Sequence, residues 1–266
     1  VHLRSRSSKL RFTVHGRKAT VNGVSVHLCH PVKTWRKRPV LSEDDFRLVM
    51  DPLLRHRGLP RRSIRRIVID PGHGGKDPGA QGARHDEKKI TFEIAVRLAR
   101  LLHRYGYRVY LTRYGDTFIP LRKRPALAKK YRADLFLSLH ANAVGDSSVA
   151  GVETFVLTPE GAPSTYGDER KDHTDAANVF DRENMRFGYE LQKYTAHYGR
   201  SPDRGTKHAN FAVLRDAPCT AALVEMGFIT NPTEEKRLAD PRHQHRVACG
   251  LARAIRAYHL AVVRRR

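Results

Sequence analysis

Four side chains that lie far apart in the sequence could share one piece of chemistry: His73, Glu87, His140 and Glu225. His73 stands in IVIDPGHGGKDPG, where a β-branched apolar run stops at Asp-Pro-Gly-His-Gly-Gly, and His140 stands in ADLFLSLHAN. Glu225 interrupts the apolar run AALVEMGFI, and Glu87 opens a helical segment 14 residues after His73. Two imidazoles and a carboxylate are the usual protein ligands of a hydrolytic zinc, which keeps one position for a water and brings its pKa to about 7. A second carboxylate, outside the coordination sphere, can take that proton and hand it to a leaving nitrogen. Glu225 suits this role.

Taken singly, each residue has a quieter role. The chain carries 15 His, most of them in basic stretches, so any one can be a surface or capping residue. Glu87 also reads as a helix N-terminal acid facing the macrodipole. His140 and Glu225 are harder to set aside, because a polar group in an apolar strand must find a partner and an unpaired buried carboxylate is costly. No compact H-E-x-x-H helix marks a zinc site. Cys29, Cys219 and Cys249 are scattered, with no C-x-x-C, and supply neither a thiolate zinc site nor a disulfide framework.

Groups this far apart in sequence meet only if a sheet brings them together. RIVID, YRVYLTR, ADLFLSLHAN, GVETFVL and AALVEMGFI read as strands. Between and after them, EKKITFEIAVRLARLLHRYG places Ile90, Ile94, Leu98, Leu101, Leu102 and Tyr105 at helical spacing before Gly106. PLRKRPALAKKYR reads as a basic helical segment interrupted at Pro125, and RENMRFGYELQKYTAHYG and QHRVACGLARAIRAYHLAVV as later helices. This alternation predicts an α/β fold with a mostly parallel twisted sheet flanked by helices. Ligands gather outside the carboxyl ends of such strands, where His73, His140 and Glu225 fall.

The front of the chain differs. Residues 9–39 alternate in short strand-like pieces with a turn signal at Asn22-Gly23, and a basic patch, KTWRKR, follows. LSEDDFRLVMDPLL predicts a short helix with Ser42 as N-cap and Asp45 in the first turn, and RHRGLPRRSIRR reads as a linker. The expected division is a small basic β-rich accessory module over 1–60 and the zinc-bearing domain over 61–266. The formal net charge is +23, and residues 1–66 hold 17 Lys/Arg against 4 Asp/Glu. Such a field favours polyanions: nucleic acid, anionic lipid or acidic envelope polymers. Nucleic acid ranks last, since aromatics are only 8% and no recognition motif is present. No stretch approaches the roughly 20 apolar residues of a transmembrane segment.

Five stretches in order, DPGHGGKDPGA, DEKKITFEIAVRLARLL, ADLFLSLHAN, DRGTKHANFAVLR and ALVEMGFITNPTEEKRL, resemble the zinc-dependent N-acetylmuramoyl-L-alanine amidases of bacterial cell-wall turnover, the Amidase_3 type. The resemblance covers about residues 64–260. It implies zinc as cofactor, His73, Glu87 and His140 as its ligands, and Glu225 as general base and acid. The implied reaction is hydrolysis of the amide between N-acetylmuramic acid and L-alanine in peptidoglycan, in the periplasm or outside the cell. The chain opens on VHLRSRSSKL rather than methionine, so export is expected from the substrate and not from a visible signal.

Gly72, Gly74 and Gly75 are expected to allow a tight turn and leave room for a substrate strand beside His73. Asn142, Arg113 and Asp203-Arg204-Gly205 are expected along the groove. Some relatives carry an inserted helix that plugs the zinc site until an activator protein displaces it. The comparable segment here, TPEGAPSTYGDERKDHTDAANVFDREN with Glu160, Glu169 and His173, has little apolar periodicity and reads as an ordered surface loop. FTVHGRKATVNGVSVHL with LSEDDFRLVMDPLL resembles the small β module of the copper amine oxidase N-terminal type, without its copper, and implies an accessory piece that could hold anionic envelope polymers. Two rival readings are a zinc peptidase that trims the stem and a non-catalytic basic adhesive protein. Competent residues at all four positions argue against the second.

Overall fold

The computed structural model describes residues 1–55, 59–167 and 171–263. Residues 56–58 of the expected linker and Glu169 of the expected loop lie outside the described residues.

One sheet organises the chain. Its strands are β1 (His2–Arg4), β2 (Lys9–Phe12), β3 (Lys18–Val21), β4 (Val24–His27), β7 (Arg66–Pro71), β8 (Arg108–Leu111), β9 (Leu135–Asn142), β10 (Val152–Leu157), β11 (Asp203–Ala209) and β12 (Thr220–Phe228). They lie in the order β1-β2-β3-β4-β11-β10-β12-β9-β7-β8. A separate hairpin pairs β5 (Lys33–Trp35) with β6 (Arg38–Val40). The expected mostly parallel character holds from β4 to β8, where only the β10–β12 pair is antiparallel. The first four strands form an antiparallel meander.

Strand alternation sorts side chains onto two faces. Ile67, Ile69, Leu135, Leu137, Val156 and Val224 belong to one apolar cluster, and Val68, Phe136, Phe155 and Leu223 to the other. On the first face pack α2 (Glu87–Arg104), α4 (Asp181–Gly199) and α7 (Pro241–Val263). On the second pack α3 (Lys123–Lys130) and α5 (Ala212–Arg215), with the 3-10 turn Ala176–Phe180. The short helices α1 (Asp51–Leu54) and α6 (Pro232–Ala239) complete the chain. The second face is only partly covered, and the open part becomes the site.

Local chemistry accounts for most elements. α2 buries Ile90, Ile94, Leu98 and Leu102 on one stripe, whereas Tyr105, expected on it, lies just past the helix and is 49% exposed. Gly106 ends the helix at φ 84°, a conformation that favours glycine. Pro125 does not interrupt α3: it falls in the first turn, where its missing N–H would have had no intrahelical partner. Asn22 and Gly23 both take left-handed φ in the β3–β4 turn. The Ser42 hydroxyl accepts the Asp45 N–H at 3.0 Å, as a cap should, although the helical stretch begins as a wide turn, Asp45–Met50, before α1. KTWRKR is not a bare charged patch but the β5–β6 hairpin, whose turn residues Arg36 and Lys37 carry φ 47° and 62° without the usual Asn or Gly.

The N-terminal strands are continuous with the rest. β4 pairs with β11 through Val26 and Thr206, and Phe12, Val21, Val26 and Leu28 share one core with Phe187 and Leu191 of α4.

Candidate metal and catalytic site

His73, Glu87 and His140 come together at the carboxyl ends of β7 and β9. One potential ligand atom from each lies within 4.8 Å of the others. Glu87, in the first turn of α2, is buried to 3% exposure and sits between the two rings. Its carboxylate meets His73 Nε2 at 3.0 Å and His140 Nδ1 at 2.8 Å, and accepts the backbone N–H groups of Ala80 and Ala141 at 2.8 and 3.0 Å. Burial alone would raise its pKa, but hydrogen bonds from His140 and His73 and their charges hold it well below the carboxylate range.

His73 is fixed from both sides. Its Nδ1 lies 2.9 Å from Asp77, an outer carboxylate of the kind that orients metal-ligating imidazoles. Burial pushes its pKa down, yet Glu87 and Asp77 together hold it above the usual imidazole value. Its φ of 60° is unusual for a residue with a side chain. Two buried arginines hold the turn. Arg124 donates to the carbonyls of Pro71 and His73, both at 3.0 Å, and Arg113 to those of Pro71, Gly72, Gly115 and Lys88. Arg124 is itself anchored at 2.8 Å on Asp70, which also accepts from Thr112 and Ser138.

Arg113 therefore supports the turn from below rather than lining a groove, a correction to the expectation. The glycines are also explained differently. A methyl group on Gly72 would overlap the His140 ring, and one on Gly79 the His73 ring and the Glu87 carboxylate. Gly74 and Gly75, at φ 128° and 59°, pass against the backbone of Thr117 and Phe118. The space is taken by the site's own side chains and the 117–118 loop, not kept free for a substrate strand.

Glu225 faces His140 directly, because the two are register partners of β12 and β9. Both belong to the partly covered face of the sheet and line a cavity of about 400 Å³, together with His73, Glu87, Asn142 and Phe211. Glu225 Oε2 is buried with no hydrogen-bond partner. Burial, then the charges of Glu87 and Glu153, push its pKa well above the usual range. A cation among His73, Glu87 and His140 would reverse that balance and favour the ionised form. The donor set and the orphaned carboxylate thus fit a hydrolytic divalent cation such as zinc.

Sequence reading missed the next residue in this row, Glu153, the β10 register partner of Glu225. It is fully buried and accepts from Arg204 and Lys207, both at 2.6 Å, from Tyr166 at 2.8 Å and from Asn142 at 3.3 Å. A lone acid in GVETFVL was its only signal. Asp77, four residues after His73 in GHGGKD, was equally readable. Asn142 lines the cavity that holds Glu225, whereas Asp203 and Arg204 line a different cleft. In the expected surface loop, Glu160 meets Thr174, and His173 meets Asp172 and Asp175. None of the described residues of 158–184 lines the cavity that holds Glu225.

Comparison with known proteins follows the same geometry. The sequence profile of the Amidase_3 family, described as N-acetylmuramoyl-L-alanine amidase, matches residues 67–257. N-acetylmuramoyl-L-alanine amidase AmiA of Escherichia coli K12 is 34% identical over 217 residues, 72% of this chain and 75% of that protein. The catalytic domain of CwlV, an N-acetylmuramoyl-L-alanine amidase from Bacillus (Paenibacillus) polymyxa var. colistinus, superposes with a TM-score of 0.62 at 33% identity, covering 73% of this chain and 98% of that one. The CwlD amidase from Clostridioides difficile, solved in complex with the GerS lipoprotein, gives 0.62 at 25% identity over 73% and 98% of the two chains.

Proposed function

The chain belongs to the Amidase_3 family of N-acetylmuramoyl-L-alanine amidases, and from that premise we propose a zinc-dependent hydrolysis of the amide between N-acetylmuramic acid and L-alanine in peptidoglycan. One observation carries the zinc assignment: two imidazoles and a carboxylate within 4.8 Å of one another, with an unpartnered buried carboxyl on the adjacent strand. His73, Glu87 and His140 would hold the cation. When bound, zinc supplies Lewis-acid polarisation and an acidified water.

The protein's own groups do the rest. Glu225 takes the proton of the attacking water and delivers it to the departing alanine nitrogen. Asp77 keeps the His73 ring turned toward Glu87, and the Arg124–Asp70 pair keeps the turn that carries it rigid. Leu223 and Val213 supply an apolar part of the cavity wall.

The substrate places the enzyme in the cell envelope, periplasmic or secreted. Among the described residues no helix is long and apolar enough to cross a membrane. Residues 1–60 serve as the accessory part, and the 61–266 region as the catalytic domain. An activator protein would here act at the open groove rather than by withdrawing a plug.

The test is zinc content together with mass analysis of digested peptidoglycan. The expected products are intact stem peptides and peptide-free glycan, abolished by chelation and restored by zinc. Glu225→Gln should keep zinc bound and lose about 10²–10⁴-fold in turnover. Trimmed stems would identify a peptidase instead, and unimpaired cleavage by the Gln variant would remove Glu225 from its role.

A further inference from the structure

A second cleft, of about 390 Å³, lies on the same face of the sheet as the catalytic cavity. It is built between the N-terminal meander and β11 and is lined by Arg11, Lys18, His27, Tyr166, Arg204 and Lys207. The alternation explains why these polar groups share a face: their neighbours Phe12, Ala19 and Val26 point into the α4 core on the other side. Lys207 is the register partner of Phe155, which places it on the Glu225 face.

The two cavities share a wall. Asn142 lines the catalytic one and donates to Glu153, and Glu153 in turn binds Arg204, Lys207 and Tyr166 of the second. Glu153 offsets one of the cleft's four cationic side chains and Asp203 another. The Asp203 carboxylate is already taken by the Ser25 and Gly205 N–H groups and the Gln192 amide, at 2.7, 3.0 and 2.7 Å. Arg11 and Lys18 are exposed and, among the described residues, have no side-chain hydrogen-bond or ionic partner. His27 Nδ1 is buried without a partner as well. His27 is held neutral by burial and by the Lys207 charge, so the positive field comes from the arginines and lysines, and a cleft with this cationic surplus is complementary to an anion.

We propose that this cleft binds a carboxylate of the peptide stem and so positions the stem across β11 while its first amide lies beside Glu225; the inference rests on the amidase reading above. The spacing suits it. β11 is two strands from β12, about 10 Å at roughly 4.8 Å per strand, and β4 is one strand further. An extended peptide advances about 3.3–3.6 Å per residue, so the third and fourth stem residues fall over the cleft.

The experiment uses the zinc-loaded full chain and a fluorescent stem tetrapeptide in two forms, with free carboxylates and with every carboxylate amidated. The parent should bind the free form about tenfold more tightly, the size of one or two charge-assisted contacts at an exposed site. Arg11→Ala/Lys18→Ala should abolish that ratio and raise KM for a soluble muramoyl-peptide by a similar factor. Both replaced side chains are exposed, and an unchanged melting curve verifies the fold. Equal binding of the two peptides by the parent, or an undiminished ratio in the variant, overturns the proposal. So does a variant that loses affinity only for poly(glycerol phosphate), which would make the cleft a phosphate-polymer site. Absence of muramoyl-peptide cleavage by the parent would sink the amidase reading alone, since the peptide-binding ratio is measured separately.

Discussion

His73 illustrates how much of this site depends on one ring being held at both nitrogens. Glu87 and Asp77 favour its protonated form in the absence of a cation, because each is a carboxylate within 3.0 Å of a ring nitrogen. A zinc ion held by His73, as proposed, would therefore compete with protons for the same group. The sign is definite: an imidazole pKa raised above its ordinary value means that acid displaces metal earlier than for a free histidine. Zinc affinity measured by chelator competition should fall steeply from about pH 8 to about pH 5. Asp77→Asn should weaken zinc about 10–100-fold, the usual cost of losing an orienting partner. A flat pH profile would contradict the assignment of His73 as a ligand.

At the scale of elements, α4 begins with an acid in an unusual state. Asp181 accepts from Asn178 at 2.9 Å, but burial outweighs that bond and pushes its pKa up to about 7. The folded chain thus holds this proton more tightly than the unfolded chain, where Asp titrates near 3.9. Its contribution is intact below about pH 4 and is lost as pH rises through about 7. Asp181→Asn removes the titration, so it should raise Tm by about 8 °C at pH 8 and leave it unchanged near pH 4. Equal effects at both pH values would show that the carboxyl is not held neutral.

For the whole molecule, the question is how the first 60 residues relate to the rest. The family profile begins at residue 67, yet β1–β4 extend the catalytic sheet and Tyr189 of α4 donates to the Val21 carbonyl at 2.9 Å. Removing residues 1–60 would bare the β11 edge and uncover core positions such as Met185 and Leu191, at about 1.5–3 kcal/mol for each large apolar side chain re-exposed. The truncated chain should melt more than about 10 °C lower and self-associate. If it melts with the parent, the segment is an independent module attached by a tether. The +23 charge acts at this scale too, since a field of that sign favours anionic polymers whatever the fate of the individual cleft.

Much of this was legible in the order of residues. Apolar alternation, the α2 stripe and its glycine stop are local patterns, and they determined the α/β class and nearly every central element. Histidines placed toward strand ends, an acid opening a helix and another inside an apolar strand, together with five ordered motifs, determined the family and the candidate metal set. Register was not legible. That Glu153, Glu225 and His140 stand in one row across three strands depends on how segments more than 70 residues apart are paired, and only packing of the whole sheet decides that. The same holds for Arg113 beneath the turn, for Gly72 against the His140 ring, and for the meander that joins β11 to make a second cleft. Sequence carries the period of each element; which side chains from distant elements become neighbours is settled by the fold alone.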